Sequence, residues 1–347
     1  MHKADTLIRT KLRLPFTRPE LVTRPRLQAR IAQGLRAPLT LITAPAGFGK
    51  TTLVASFVAS CGMPVAWLSL DKNDNQVERF LIYLVAALQE ANPTIGSEAA
   101  QLLAAVSPAP PEAVLTSLIN DLDAAEDEIA MVLDDYQFIR NKAVHEAVAF
   151  VLEHCPSPLH LVIASRSDPP LPLTHLRARG QMVELRAADL SFTEPEAARF
   201  LNEVMGLDLD AGSVTVLAER TEGWIAGLQM AAITIQSALS MRDREDVLGF
   251  IEGFSGTNRY ILDYLLEEVL ASQSPEIKRF LLCTSILERL TAPLCDTVLA
   301  DDDVFKREGD DRSTGSESLF VSQSAAILEY LERANLFLVP LDDKRIW

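Results

Sequence analysis

A run of small residues ending in a basic one, Ala44-Pro-Ala-Gly-Phe-Gly-Lys50-Thr51-Thr52, is the part of this sequence best suited to chemistry. Gly47 and Gly49 allow backbone N–H groups to wrap a phosphate. Lys50 offers a point charge to β- and γ-phosphates, and the Thr51 hydroxyl can join a Mg²⁺ shell. Ala44, Pro45, Ala46, Phe48 and Thr52 complete the loop. Ala44 stands where a glycine is usual, and alanine fits there only if φ stays negative. The run reads as a phosphate cradle for ATP or ADP with Mg²⁺.

Two further sites extend the chemistry. The apolar run Ile129-Ala-Met-Val-Leu133 ends in Asp134-Asp135. An acid at such a strand end is placed to meet the Mg²⁺ held by Thr51, a role assigned to Asp134. Asp135 then orients or deprotonates the attacking water. A solvated acidic turn is the plainer alternative. Leu159-His-Leu-Val-Ile-Ala164 ends in Ser165-Arg166, and an arginine at that tip can report the γ-phosphate or simply make a local surface ion pair. The catalytic candidates are Lys50, Asp135 and Arg166; the metal candidates are Thr51 and Asp134.

These groups need strands to carry them. Short apolar runs at 39–43, 64–70, 129–133, 159–164 and 182–186 suit strands buried on both faces, as in a parallel sheet covered by helices. A short helix is expected near 26–34, and another at 51–60 whose N-terminus meets the phosphates. Val77, Phe80, Leu81, Leu84, Val85 and Leu88 form a helical stripe, with Asn75 and Glu78 as its capping pair. Leu115, Leu118, Ile119 and Leu122 mark the next helix. Strand and helix alternate over about 150 residues, the pattern of a doubly wound α/β domain.

After Ser191 the pattern becomes almost wholly helical. Thr193 and Glu196 form a capping-box signature for a helix at 195–205, and further helices are expected at 211–222, 224–239, 261–271, 275–284 and 324–334. Residues 301–318 read as a loop rich in Asp, Ser and Gly. Residues 336–341 read as a strand, 342–344 as a turn and 345–347 as the start of a return strand. A hairpin cut there suggests a fragment of a longer protein.

With 347 residues and 48% hydrophobic content the chain can bury two or three cores. Its formal charge of −16 repels a phosphate backbone, so direct DNA contact by this stretch is not expected. The four cysteines have neither zinc nor CxxC spacing, as expected of free thiols in a reducing cytoplasm. No secretory signal and no membrane span is visible. The five histidines lack ligand-like spacing. The patch Asp71, Asp74 and Asn75 reads as a strand-end turn rather than a metal site.

The chain resembles the N-terminal ATPase region of the large ATP-binding LuxR-type (MalT-like) regulators, within the signal-transduction ATPases with numerous domains. The phosphate cradle, Trp67-Leu-Ser-Leu-Asp-Lys-Asn-Asp-Asn75, Leu133-Asp-Asp-Tyr136, Ala164-Ser-Arg166, Leu176-Arg-Ala-Arg179, Thr221-Glu-Gly-Trp-Ile-Ala-Gly-Leu228 and Ala334-Asn-Leu-Phe-Leu338 carry the resemblance. It implies a P-loop sheet of strand order 5-1-4-3-2 at 1–190, a helical domain at 191–255 and a winged-helix-like domain at 256–347. It further implies a closed ADP state, and an ATP state that opens and self-associates. DNA would be bound by a C-terminal helix-turn-helix beyond this stretch. The segment 22–26, with Arg24, would lie against base and ribose. Trp224 would lie near adenine, where related ATPases carry Gly-x-Pro; here Ile225 replaces the proline.

The leading expectation is therefore a slow regulatory ATPase. A metabolic P-loop kinase would need an acceptor site, which only Arg177 and Arg179 could suggest. A scaffold that binds nucleotide without hydrolysis is the third reading.

Overall fold

The computed structural model describes residues 7–16, 20–105, 109–239, 263–271, 273–287, 289–300 and 323–333. The chain divides into two compact units, Met1–Ser255 and Gly256–Trp347.

The first unit is built on five parallel strands: β1 (Leu39–Thr43), β2 (Val65–Ser69), β3 (Ile129–Asp134), β4 (Leu159–Ser165) and β5 (Met182–Leu185). Their order is β2-β3-β4-β1-β5, the order the resemblance implies. Strand side chains alternate between two faces. Leu39, Leu41, Met131, Leu133, Leu161 and Ile163 enter one core; Ile42, Val132 and Val162 enter the other. The first core is closed by α3 (Val77–Ala91), α4 (Ser97–Ala104), α5 (Pro111–Asp123) and α6 (Lys142–Glu153), the second by α1 (Pro25–Gly34) and α2 (Lys50–Val58). β1, β3 and β4 are buried along their whole length, which is why the sequence shows them as unbroken apolar runs.

Asn75 does not cap α3. The cap position is Gln76, without a side-chain bond. Asn75 instead accepts from the Arg140 and Asn141 amides at 2.6 and 2.9 Å and donates to the Phe138 carbonyl at 2.8 Å. It ties the β2 end to the loop after β3, so tertiary pairing overrides the local cap. Asp71 and Asp74 cap the 3-10 turn Lys72–Asn75, and the fully buried Asp74 pairs with Lys11 of the lead-in.

Beyond the sheet, α7 (Leu173–Ala178) and α8 (Ala187–Leu190) lead to α9 (Glu194–Arg199), which continues as a π-turn over Phe200–Val204. Glu196 Oε2 accepts from the Thr193 amide at 3.0 Å, the backward half of the expected capping box. Then follow α10 (Ala211–Thr221) and α11 (Ile225–Leu239). In the second unit α12 (Pro275–Thr284), α13 (Ala292–Ala300) and α14 (Gln323–Arg333) enclose Phe280, Cys295, Leu328 and Leu331. The loop at 301–318, the terminal hairpin at 336–347 and the Ala334–Leu338 motif lie outside the described residues. Among the described residues no helix is long and apolar enough to cross a membrane.

Candidate nucleotide site at the strand ends

Register brings the functional residues together. Thr43 pairs with Ser165, Leu133 with Ile163 and Ser69 with Asp134. Strands 1, 3 and 4 therefore end almost level, and the residues that follow them meet along one edge of the sheet. In open α/β sheets this edge is the ligand side.

The loop after β1 has the backbone a phosphate cradle needs. Gly47 and Gly49 lie at φ 80° and 71°, a region that favours glycine. Ala44 is absent from the positive-φ residues, so alanine there costs nothing in backbone strain. Gly49 precedes α2, whose first residues are Lys50, Thr51 and Thr52. The Lys50 ammonium donates to the Ala44 and Pro45 carbonyls at 2.7 and 2.9 Å. Burial and the nearby positive charge of Arg166 lower its pKa to about 8. A partly desolvated cation of this kind is a receptor for an anion.

The Thr51 hydroxyl lies 3.0 Å from both oxygens of Asp134. Asp134 is 3% exposed, and burial together with the neighbouring Asp135 raises its pKa to about 6. A hydroxyl and a carboxylate packed together are hard oxygen donors that suit Mg²⁺, with nucleotide phosphates supplying further oxygens. These residues fit the metal and the phosphates that the loop implies.

Asp135 stands at φ 57° in the left-handed region, and the chain then turns through Tyr136–Phe138. Gln137 donates to Asp135 Oδ1 at 2.8 Å and accepts from the Arg166 amide at 3.0 Å. The sequence singles out Asp135 and Arg166 but not Gln137, because an amide two residues past an acid has no recognisable pattern. Arg186, at the end of β5, donates to Thr43 Oγ1 at 2.9 Å and to Asp168, bracing the start of the cradle.

A cavity of about 310 Å³ opens beside the first turn of α2. Gly49 and Thr52 form its phosphate-side wall, while Val22, Phe192, Phe200, Val204 and Ile225 give it an apolar lining. Ile225, at the position of the missing proline, contributes to that lining. Arg24 also borders the cavity, but its guanidinium is committed elsewhere. It donates to the Leu190 and Ser191 carbonyls at 2.8 and 2.9 Å, pairs with Glu196 at 3.1 Å and stacks on Phe192. It braces the segment before α1 against the start of the helical segment.

Trp224 stands apart from the cavity lining. Its indole Nε1 donates to the Ala46 carbonyl at 3.0 Å, and the Ala226 amide donates to the Gly47 carbonyl at 3.0 Å. Trp224 thus grips the back of the cradle. The turn before it explains how it gets there. Glu222 and Gly223 both adopt positive φ, ending α10, and a Cβ on Gly223 would lie 2.4 Å from the Phe192 carbonyl oxygen. A glycine is required at that crossing. Similarly, a Cβ on Gly47 would meet Ala226 Cβ at 2.6 Å and Trp224 Nε1 at 2.7 Å.

Comparison with known proteins agrees with this anatomy. Residues 266–347 match the model of the MalT winged helix domain. The chain is 33% identical over 342 residues to the HTH-type transcriptional regulators MalT of Yersinia enterocolitica and of Yersinia pestis. That alignment covers 98% of this chain and 35% of each relative, so the chain spans about a third of the length of the curated relatives it matches. Its fold is that of a Walker-type ATPase of Pyrococcus abyssi, with TM-score 0.60 and 18% identity over 97% of this chain and 95% of the other. The chain is therefore a MalT-like region: a P-loop ATPase fold, a helical segment and a winged-helix domain of the MalT type.

Proposed function

We propose that this chain is the nucleotide-controlled switch of a transcriptional regulator. It binds ATP or ADP with Mg²⁺, hydrolyses ATP slowly, and lets the nucleotide state set the conformation of the helical segment. Residues 1–190 act as the ATPase domain, 191–255 as the helical domain and 256–347 as the winged-helix domain. Lys50 and the loop from Ala44 to Thr52 hold the phosphates, and Thr51 with Asp134 holds the metal. Asp135 handles the attacking water and Arg166 senses the γ-phosphate. The ATP form self-associates in the cytoplasm, and DNA is bound by another part of the regulator.

The observation that carries this reading is the pair of hydrogen bonds from Trp224 and Ala226 to the cradle carbonyls. These bonds attach the start of α11 to the back of the phosphate loop. A switch can use such an attachment, because a ligand shifts a conformational equilibrium only through contacts that differ between the two states. Movement of the loop on phosphate binding reaches α11 directly.

The test is a titration of the chain with MgADP and MgATP, followed by phosphate release without any acceptor. Binding of both nucleotides and slow release are expected. Lys50→Ala should weaken binding by roughly 100-fold, the scale of a lost charge-assisted contact to phosphate. Unchanged ATP affinity in Lys50→Ala would remove the cradle from the function.

A further inference from the structure

We propose that Gln137 is a positioning residue for hydrolysis, tying the water-handling carboxylate of Asp135 to the backbone of the γ-phosphate sensor at Arg166. The inference rests on the ATPase reading above and concerns a residue that no motif marks.

The geometry has three parts. First, Asp135 occupies the left-handed region at φ 57° and ψ 38°. A non-glycine residue is held there only when its surroundings over-determine it. Second, the turn that follows is fixed. Phe138 N donates to Asp135 O at 3.1 Å, Ile139 N donates to Tyr136 O at 3.0 Å, and the buried Tyr136 hydroxyl lies 3.0 Å from His145 Nδ1 on α6. Third, the Gln137 carboxamide uses both ends. Nε2 donates to Asp135 Oδ1 at 2.8 Å, and Oε1 accepts from Arg166 N at 3.0 Å. A carboxylate only accepts and a backbone N–H only donates, so the amide has one orientation here.

The consequence is a division of labour within one carboxylate. Oδ1 is committed to Gln137, which leaves Oδ2 for the water. In hydrolysis the water oxygen bonds to the γ-phosphorus while the bond to the β–γ bridging oxygen breaks. That electron pair leaves with ADP, and the proton from water passes to Oδ2. Rotation of Asp135 about its side chain would lose this alignment, and the fixed amide resists that rotation. Because the same amide is anchored at Arg166 N, the loops after β3 and β4 move together when the sensor engages phosphate.

The experiment uses the 347-residue chain and compares steady-state phosphate release from MgATP in the wild type, Gln137→Met, Gln137→Glu, Asp135→Ala and the Asp135→Ala/Gln137→Met double variant. Methionine keeps the length and loses both hydrogen bonds. Glutamate keeps the acceptor for Arg166 N, loses the donor and adds a like charge. Gln137→Met is expected to lower kcat roughly tenfold, the scale of one hydrogen bond to a charged group. KM should stay within about twofold, since ground-state binding does not use this amide. Gln137→Glu should lose at least as much. The double variant should be no slower than Asp135→Ala alone, because Gln137 acts through Asp135.

Wild-type kcat in both Gln137 variants, a loss that multiplies with that of Asp135→Ala, or a change confined to KM would each overturn the proposal. MgADP affinity reports folding, and if Gln137→Met fails to bind, Gln137→Glu and the Asp135→Ala/Gln137→Glu double variant carry the same cycle. A wild-type chain that binds MgATP and releases no phosphate overturns the hydrolytic reading itself, and this inference with it. Hydrolysis indifferent to Gln137 overturns the inference alone.

Discussion

The phosphate loop is held from two sides in two different ways. Its inner side faces strand ends that carry charge: Lys50, Asp134, Asp135 and Arg166, with two pKa values displaced by burial and by neighbours. Its outer side is gripped by neutral groups, an indole N–H on the Ala46 carbonyl and one amide on that of Gly47. The charged side is costly to bury and is compensated when phosphate and metal bind. The neutral side comprises two hydrogen bonds of about 0.5–1.5 kcal/mol each. A grip of that size can be released by a nucleotide whose affinity differs modestly between two states. In the proposed switch, chemistry and coupling engage one loop from opposite sides.

The largest test of this division lies on the inner side. Asp135→Ala should spare nucleotide affinity and slow hydrolysis by roughly 10²–10⁴-fold, the usual contribution of a positioned general base. Single-turnover phosphate release would measure it, and an unaltered rate would take Asp135 out of the chemistry.

Gly47→Ala attacks both sides at once. The new Cβ would collide with Ala226 and Trp224, at a φ of 80° that an L-residue resists. A loss of about 1–3 kcal/mol of stability and a marked loss of nucleotide affinity are expected. Thermal unfolding with and without MgADP reads both. A variant that unfolds and binds like the wild type would contradict the close crossing of α11 and the loop.

The pH dependence separates the two charged partners of the inner side. Phosphate favours protonated Lys50, whose pKa without ligand is lowered to about 8. Above that pH, binding must take up a proton, so affinity for nucleotide should fall by up to about tenfold per pH unit. Mg²⁺ requires ionised Asp134, whose pKa is raised to about 6. Below that pH, metal binding must expel a proton, and affinity for Mg²⁺ should fall by up to about tenfold per unit as pH drops. Calorimetric titrations from pH 5 to 9 check both limbs, and flat affinities across that range would refute the assignment.

The smallest effect belongs to the outer side. Trp224→Phe removes the indole donor and leaves the Ala46 carbonyl short of a partner, at a cost of about 0.5–1.5 kcal/mol. Hydrolysis at saturating MgATP should stay within about twofold, while the difference in thermal stability between ADP- and ATP-loaded forms should shrink. If the difference stayed at its wild-type size, the grip would not be the coupling path.

Much of the inner side is legible from residues alone. Strands buried on both faces must be continuous apolar runs, and a cradle must be small residues followed by lysine and a hydroxyl. Gly47, Gly49, Lys50, Thr51 and Asp134 each announce a physical need that few other residues meet. The outer side is not legible in this way. Trp224 on an amphipathic helix looks like any core aromatic, and nothing local points its nitrogen at Ala46, which lies 178 residues earlier. Asn75 misleads for the same reason. Its local setting suggests a helix cap, while the amides of Arg140 and Asn141 claim its side chain.

What the sequence determined by itself is the five strands, most of the helices and the residue types of a phosphate cradle, because burial periodicity and loop backbone geometry are local constraints written in neighbouring residues. Tertiary structure alone decided which groups converge. Parallel register levels the ends of β1, β3 and β4, and so joins Asp135 to Arg166 through Gln137. The left-handed turn at Glu222 and Gly223 aims Trp224 at the back of the cradle. Both depend on hydrogen bonds between residues distant along the chain, whose partners exist only once the sheet has formed.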